Sequence, residues 1–412
     1  MEYQELKECA KYSNLRTSTF TKDTYISTEN MLPNKGGVTS IDSIPTCKTT
    51  AKYESSDILI SNIRPYFCKI WFATREGGCS NDVLVIKAKK TIEPKFLYYV
   101  LSDKNFFNYD TITSKGTKMP RGNKNAIMKY LVPKFSPLTQ QKISSILSAY
   151  DRLIENNTRR IRLLEQMAEN LYKEWFVRFR FPEHEKVEMV KSKYGRIPSN
   201  FNIIQMQDVF DYYVGGGWGE ENMSNDFSEE ASVIRGADFP KVCQYDISTC
   251  PRRFHKKSNY RSRQLEDGDI VMEISGGTSE QPVGRTILVT QSLIDRFDNG
   301  KVICASFCKL IRLRKNVISP FFFYYWMKFL YDTRIINRFQ LQSTGIINFK
   351  FEPFLRKGDV MLPPTNVMNS FESHVVPIHK EMNKLAQQNQ LLTRQRDLLL
   401  PRLMSGKLEV KS

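Results

Sequence analysis

The sequence predicts an α+β protein of two globular domains separated by two long helices. The helices should pair as an antiparallel coiled coil, and the halves should form a pseudo-twofold internal repeat. Three observations carry this reading. Two stretches far apart in the chain place apolar residues at alternating steps of four and three. Each stretch follows a mixed, strand-rich segment that ends in a short proline-bearing exit. The halves also match one another motif by motif, the sign of a duplicated unit.

The first rod has a seam running through Ile143, Leu147, Ile154, Asn157, Ile161, Leu164 and Leu171. That spacing, kept for about four heptads, marks a coiled coil, and a lone Asn in a seam fixes register at some cost in stability. Pro137 suits a first helical turn, where its missing N–H is unpaired anyway. At ~1.5 Å per residue, a helix from Leu138 to Phe179 measures about 60 Å, which is a rod rather than a domain core. The second seam runs Ile378, Met382, Leu385, Asn389, Leu392, Leu399, again with one Asn. Pro377 lies inside this rod and is expected to kink or restart the helix there. The boundaries that follow are domains at 1–136 and 181–364, with rods at 137–180 and 365–412.

Within the first domain, Asp57-Ile-Leu-Ile and Asp82-Val-Leu-Val-Ile read as buried strands, and Glu93-Pro94 opens a helix containing Phe96-Leu-Tyr-Tyr-Val-Leu. The second domain answers with Gly268-Asp269-Ile-Val-Met, an apolar run from Val302 to Ile311, and Pro320-Phe-Phe-Phe-Tyr-Tyr. Ser343-Thr-Gly345 answers Ser114-Lys-Gly116, and Leu362-Pro-Pro answers Val132-Pro133. The charged stretch Glu183 to Asn200 reads as linker, and Gly215 to Gly219 as a tight turn.

Charge points to a partner. The 412 residues carry a formal net charge of +17, with a pI near 9.4, so a polyanion is expected, nucleic acid before a membrane. Eight cysteines without paired spacing, a polar N-terminal stretch and no apolar run long enough to span a bilayer suggest a cytoplasmic chain with reduced thiols. The densest basic loop of the first half holds Lys115, Lys118, Arg121 and Lys124 around two glycines, with no acid in the loop itself. Glycines let a backbone approach phosphates closely, although a solvated surface loop would look the same. Arg64 and Lys69 lie among aromatic residues nearby in sequence. In the second half, Arg252, Arg253, Lys256, Lys257, Arg261 and Arg263 interleave with Phe254 and Tyr260, suited to phosphates and base edges or, more blandly, to a charged hairpin loop. Gln342 and Ser343, beside the second glycine, are secondary candidates.

Catalytic patterns fail on context. Asp82 with Glu93-Pro94-Lys95 has the order of a metal-dependent nuclease core, but Glu93 and Lys95 flank a helix-starting proline. Leu362-Pro-Pro-Thr365 lacks both the polar first residue and the stacking aromatic of an amino-methyltransferase motif. Gly215 to Gly219 is outside any strand-to-helix phosphate loop. The pairs Cys304/Cys308 and Cys243/Cys250 lack zinc spacing, so buried thiols and no metal are expected. His374 and His379 read as solvated or capping residues. No nucleophile–base arrangement stands out, and no catalytic residue is assigned.

The rods themselves resemble a known family. Pro137-Leu-Thr-Gln-Gln-Lys-Ile-Ser-Ser-Ile-Leu-Ser-Ala-Tyr-Asp-Arg-Leu-Ile-Glu-Asn-Asn and Leu163-Leu-Glu-Gln-Met-Ala-Glu-Asn-Leu-Tyr-Lys-Glu-Trp-Phe-Val are similar to the first conserved helix of type I restriction–modification specificity (S) subunits. Leu391-Leu-Thr-Arg-Gln-Arg-Asp-Leu-Leu-Leu-Pro-Arg-Leu-Met-Ser-Gly-Lys-Leu resembles their second conserved end. The segments from Gly116 and Gly345 to Val-Pro and Leu-Pro-Pro resemble the family's exits from its recognition domains. Departures are Val132-Pro-Lys, where a second proline-rich step is usual, and Pro377. The resemblance implies a non-catalytic subunit whose two target recognition domains each read half of a split DNA sequence, with the rods as a ruler. It implies two methyltransferase (modification) subunits and restriction translocase-endonuclease subunits as partners. S-adenosylmethionine, ATP and Mg2+ would then sit on those partners, with no cofactor on this chain. A rod of about 60 Å spans at most roughly 18 base pairs at about 3.4 Å each. A coiled-coil scaffold, or a stand-alone nuclease or methyltransferase, are the competing readings. DNA-insensitive partner binding would favour the first, and activity of the isolated chain on DNA the second.

Overall fold

The computed structural model describes residues 2–41, 43–44, 46–278, 281–343 and 346–408. The chain forms two compact units, residues 1–154 with 391–412, and residues 155–390.

The first unit is built on a four-stranded antiparallel sheet in the order Ala10–Tyr12, Val83–Ala88, Ile58–Ser61, Ile70–Phe72. Its central strands are apolar on both faces because both are covered, and Ile58 pairs with Ile86 in the register. A second sheet runs Arg16–Thr17, Thr50–Tyr53, Gly77–Cys79, Tyr25–Ile26. The helix Pro94–Leu101 starts where Glu93 caps Phe96 N–H and proline occupies the first turn. It buries Phe96, Leu97 and Val100 against Ile58, Ile60 and Ile86, each such side chain contributing about 2 kcal/mol of hydrophobic stabilisation.

The second unit repeats this plan. Its sheet runs Phe210–Gly215, Cys308–Leu313, Ile270–Glu273, Thr286–Leu288, again antiparallel throughout, and Ile270 pairs with Ile311. The apolar run from Val302 to Ile311 falls on two strands. Val302–Cys304 leaves for a separate three-stranded sheet with Glu229–Ile234 and Arg252–His255, and a turn at Ala305–Phe307 returns the chain. The repeated aspartates have a structural job. Asp57 accepts from Glu54 N–H and faces Lys87 at 3.9 Å; Asp269 accepts from Glu266 N–H and pairs with Arg312 at 2.9 Å. Each closes the turn into its strand while a cation from the neighbouring strand offsets the buried charge.

Residues 183–200 are not an unstructured linker. Met189–Ser192 pairs with Gly195–Pro198 as a hairpin, and Gly195 supplies the positive φ of its turn.

The long helices are Pro137–Tyr172, followed by a π-helical turn at Lys173–Val177, and Thr365–Met404. Pro377 interrupts nothing: the second helix runs through it, with the ring on an exposed face. Within each unit the helices run antiparallel. In the first, Asp151 pairs with Arg396 at 2.7 Å, while Ile143 and Leu147 share a core with Leu400 and Leu403. In the second, Asn157 Nδ2 donates to Gln388 Oε1, Asn389 Nδ2 to Thr158 Oγ1, and Arg160 pairs with Glu381. Ile161, Met382 and Leu385 are buried in that unit; Leu164, Leu171 and Ile378 are half-buried against its cores. The seam asparagines thus bond across the helix pair, the polar contact that discriminates between registers. Ile154, Leu392 and Leu399 are half-buried. Beyond Leu164 the seam changes character, because Ala168, Tyr172 and Trp175 pack into an aromatic cluster with Phe322, Tyr325 and Phe371.

His379 also departs from expectation. It is buried, with Tyr325 OH at 2.8 Å from Nε2 and Tyr245 OH at 3.0 Å from Nδ1. Burial lowers the ring's pKa to about 4, so it is held neutral between two hydroxyls. Its counterpart fourteen residues into the first helix is Asp151, which accepts from Tyr99 OH at 2.5 Å. Tyr99 and Tyr325 are themselves equivalent, each five residues after its helix-opening proline.

Candidate nucleic-acid interface

In the first unit, two segments that are distant in sequence are sewn together. The turn after strand Ile58–Ser61 and the basic loop share backbone bonds: Gly122 N–H donates to Asn62 O, Arg64 N–H to Pro120 O, and Lys115 and Arg121 exchange a reciprocal pair at 2.9 Å. Gly122 is required by this closeness, since a Cβ there would lie 2.6 Å from Asp110 Oδ1 and 2.9 Å from Asn62 Oδ1. Arg64, Lys115, Lys118, Arg121 and Lys124 are exposed. They fall on one connected stretch, from which the sequence alone gave no reason to join Arg64 to the loop.

The basic loop has a compensating acid after all: Asp82 pairs with Arg121 at 3.2 Å. Arg64, Lys115, Lys118 and Lys124 are in no ion pair among the described residues. Lys69 is tied down, donating from Nζ to Thr28 O at 2.6 Å with its ammonium 5.8 Å from the Phe67 ring centroid, and burial lowers its pKa.

The second basic stretch is a strand, Arg252–His255, followed by a helix, Lys257–Arg263, rather than a hairpin loop. Arg252 is engaged by Asp298 and Glu230, and Lys256 faces Asp226. Arg253 lies over Trp218 at 4.8 Å and pairs with Glu221 at 3.0 Å. Arg263 reaches inward, donating to Gly215 O at 2.9 Å and to Asn259 Oδ1 at 2.6 Å. Lys257 and Arg261 are exposed and in no ion pair among the described residues. This patch is therefore more internally neutralised than the first.

Gln342 and Ser343 lie on strand Gln340–Ser343, which pairs with Ile346–Phe349; that strand in turn pairs with Ser275–Gly277. Thr344 and Gly345 lie outside the described residues.

Among the described residues, no cluster of three metal-ligating side chains is found, and no helix is long and apolar enough to cross a membrane. All eight cysteines are free thiols. Cys304 and Cys308 are buried, and desolvation raises Cys304 to about 12, well away from a reactive thiolate.

Comparison with known proteins gives a consistent likeness. Residues 3–166 match the model for the type I restriction modification DNA specificity domain. The MjaIX specificity subunit of Methanocaldococcus jannaschii is 23% identical over 333 residues, covering 78% of this chain and 71% of the relative. The HindI specificity subunit of Haemophilus influenzae is 22% identical over an alignment covering 93% of this chain and 94% of its own. Residues 3–166 thus carry the likeness to that specificity domain, and the chain is similar to type I specificity subunits over most of its length. The fold agrees: the crystal structure of a type I restriction–modification S subunit from M. genitalium superposes with a TM-score of 0.52 at 14% identity, covering 100% of this chain and 96% of that one.

Tyr66 and Phe67, on the turn beside Arg64, were not among the sequence candidates. They are 50% and 39% exposed. In sequence they read as part of an aromatic run, and nothing there distinguishes an exposed ring from a core one.

Proposed function

We propose that this chain is the DNA-reading subunit of a type I restriction–modification complex. Residues 1–136 and 181–364 each read one half of a split double-stranded target, and the helices of 137–180 and 365–412 set the gap between the halves. The chain recognises and does no chemistry itself. The observation that carries this reading is the repetition of one sheet-and-helix plan in a specificity-subunit chain, each copy bonded to its long helix through a tyrosine at the same position.

Two modification subunits dock against the long helices, and restriction translocase-endonuclease subunits complete the assembly in the cytoplasm. S-adenosylmethionine, ATP and Mg2+ belong to those partners. Exposed apolar residues support such docking. In the first unit, Ile146 and Leu153 are seven residues apart on one helix, and Leu391 and Leu398 seven apart on the other. Residues seven apart share a helical face, and aliphatic side chains repeated on a solvated face fit a protein partner.

The test is to co-express the chain with a type I modification subunit and map adenine methylation across the host genome. A two-part motif with a constant gap is expected, and exchanging residues 1–136 for those of another specificity subunit should change one half of the motif. Methylation at a continuous motif by the assembled complex would overturn the two-reader arrangement.

A further inference from the structure

The turn Asn62 to Cys68 gathers three kinds of structural cost in one place. Arg64 and Cys68, which bracket the single 3-10 turn Pro65–Phe67, both hold positive φ, at 51° each. Neither is glycine, and each such conformation costs about 1 kcal/mol or more unless the surroundings enforce it. The enforcement is visible on both sides. Arg64 N–H is bonded to Pro120 O of the basic loop, while Phe67 O and Cys68 O accept from Asn34 and Lys35 N–H at 2.8 and 2.9 Å.

Beneath the turn, Asn62 Oδ1 and both carboxylate oxygens of Asp110 are buried without a hydrogen-bond partner. Above it, Tyr66 and Phe67 stand in solvent with ring centroids 4.8 Å apart. A surface turn under no functional demand has cheap remedies for each cost, namely glycine at the bracketing positions and polar residues at the tip. Strain, unsatisfied polar atoms and exposed rings kept together indicate that the conformation itself is needed.

We propose that Tyr66, backed by Phe67, is a base-contacting, specificity-determining residue of the first recognition domain. The inference rests on the DNA-reading function above and goes further, to one side chain. Charge selects the partner, since the turn is flanked by Arg64, Lys115, Lys118 and Arg121, all exposed. Cations on flexible stems hold phosphates, which fix position without reading sequence. A tyrosine on a rigid turn between them presents what phosphate contacts lack. Its ring edge packs on a thymine methyl, and its hydroxyl bonds a base-edge acceptor or donor in the groove.

The test uses the full-length chain and a pool of duplexes carrying a randomised block, with bound molecules sequenced at two salt concentrations. Wild type is compared with Tyr66→Ala, Tyr66→Phe, Phe67→Leu and Lys118→Ala. The expected result for Tyr66→Ala is loss of about tenfold in preference at one or two positions of a single half-site, with the salt dependence and the other half-site unchanged. Tyr66→Phe should restore a methyl-contact preference and lose a hydroxyl one. Lys118→Ala should weaken all sequences alike. Retention of every wild-type preference by Tyr66→Ala and Phe67→Leu overturns the proposal, as does uniform weakening. The unchanged second half-site serves as the internal control for folding. A wild-type chain that selects no sequence at all instead overturns the DNA-reading function, a separate failure.

Discussion

The loop Lys115–Gly122 in the first unit and the hairpin Gln340–Phe349 in the second occupy the same place in the repeat. Each follows the helix that opens at a proline, each pairs with the segment leaving the equivalent central strand, and each leads into a short helix, Lys124–Ile127 or Phe351–Lys357. Their chemistry is unlike. The loop carries three exposed cations, whereas the hairpin is a regular ladder with Leu341 and Ile346 about half exposed and no Lys or Arg between 340 and 349. The second unit's densest basic stretch lies elsewhere, on a strand and the helix after it at Arg252 to Arg263, where acids already occupy several cations. Buried contacts hold the frame fixed in both copies, and the surface mounted on it has diverged in which element carries charge.

The largest effect that would sharpen the comparison concerns the equivalent positions Asp151 and His379. His379 is held neutral by burial, its pKa lowered to about 4 from 6.5. Between these values the unfolded chain binds a proton that the folded chain does not, so the second unit's stability is full above pH 6.5 and falls as pH drops towards 4. The loss should approach about 3 kcal/mol. Denaturant unfolding from pH 7 to 4 should show it, and His379→Gln should flatten the acid limb. An unchanged limb would mean that the ring is not the responding group. In the first unit, Arg396→Ala should cost about 2 kcal/mol at neutral pH, because it leaves a partly buried Asp151 without its cation while still bonded by Tyr99.

Next in size is Asp110 under the basic loop. Burial raises its pKa to about 6. Between roughly pH 4 and 6 the folded chain holds a proton that the unfolded chain has released, so stability falls as pH rises through that window. Asp110→Asn removes this loss and should stabilise the chain by about 2 kcal/mol above pH 6 while changing little at pH 4. Equal melting shifts at pH 4.5 and 8 would show that charge burial is not the cause.

Binding gives a smaller contrast. Lys118→Ala, losing a cation in no ion pair among the described residues, should lower the slope of log affinity against log salt by about one. Arg252→Ala, whose side chain is already engaged by Asp298 and Glu230, should change it by less. Equal slopes for both would mean that those acids release Arg252 on DNA.

Much of the frame was legible in sequence because it rests on periodicity. The four-three spacing marked the helices, and proline after Glu93 or Ser319 marked the openings of Pro94–Leu101 and Pro320–Asp332. Partnership across the fold was not legible. Asp82 lies 39 residues from Arg121, and His379 meets Tyr245 and Tyr325 from distant segments. Pro377 misled because an exposed proline in the first third of a long, packed helix loses one N–H bond without breaking the run. The run Glu183 to Asn200 looked like linker because its strands are short and largely exposed, leaving no apolar alternation to read.

The smallest effect tests whether the two copies use interchangeable parts. In the first unit, Ser144 Oγ donates to Glu93 Oε2 at 2.5 Å; in the second, Ser319 Oγ donates to Glu372 Oε2 at 2.6 Å. Glu93 and Ser319 both cap the helix that opens at the following proline, and Ser144 and Glu372 both lie seven residues into a long helix. The same bond pins the same elements with donor and acceptor exchanged. Its geometry is set by the backbones rather than by which helix carries the carboxylate, since serine and glutamate each cap Phe96 or Phe322 N–H through a side-chain oxygen. Glu93→Ala should cost about 1 kcal/mol by removing both the cap and the pin. The reversed pair Glu93→Ser with Ser144→Glu should recover most of that in thermal unfolding. If the double variant is no more stable than Glu93→Ala, the two copies have repacked around their own polarity, and the repeat is conserved in topology but not in its contacts.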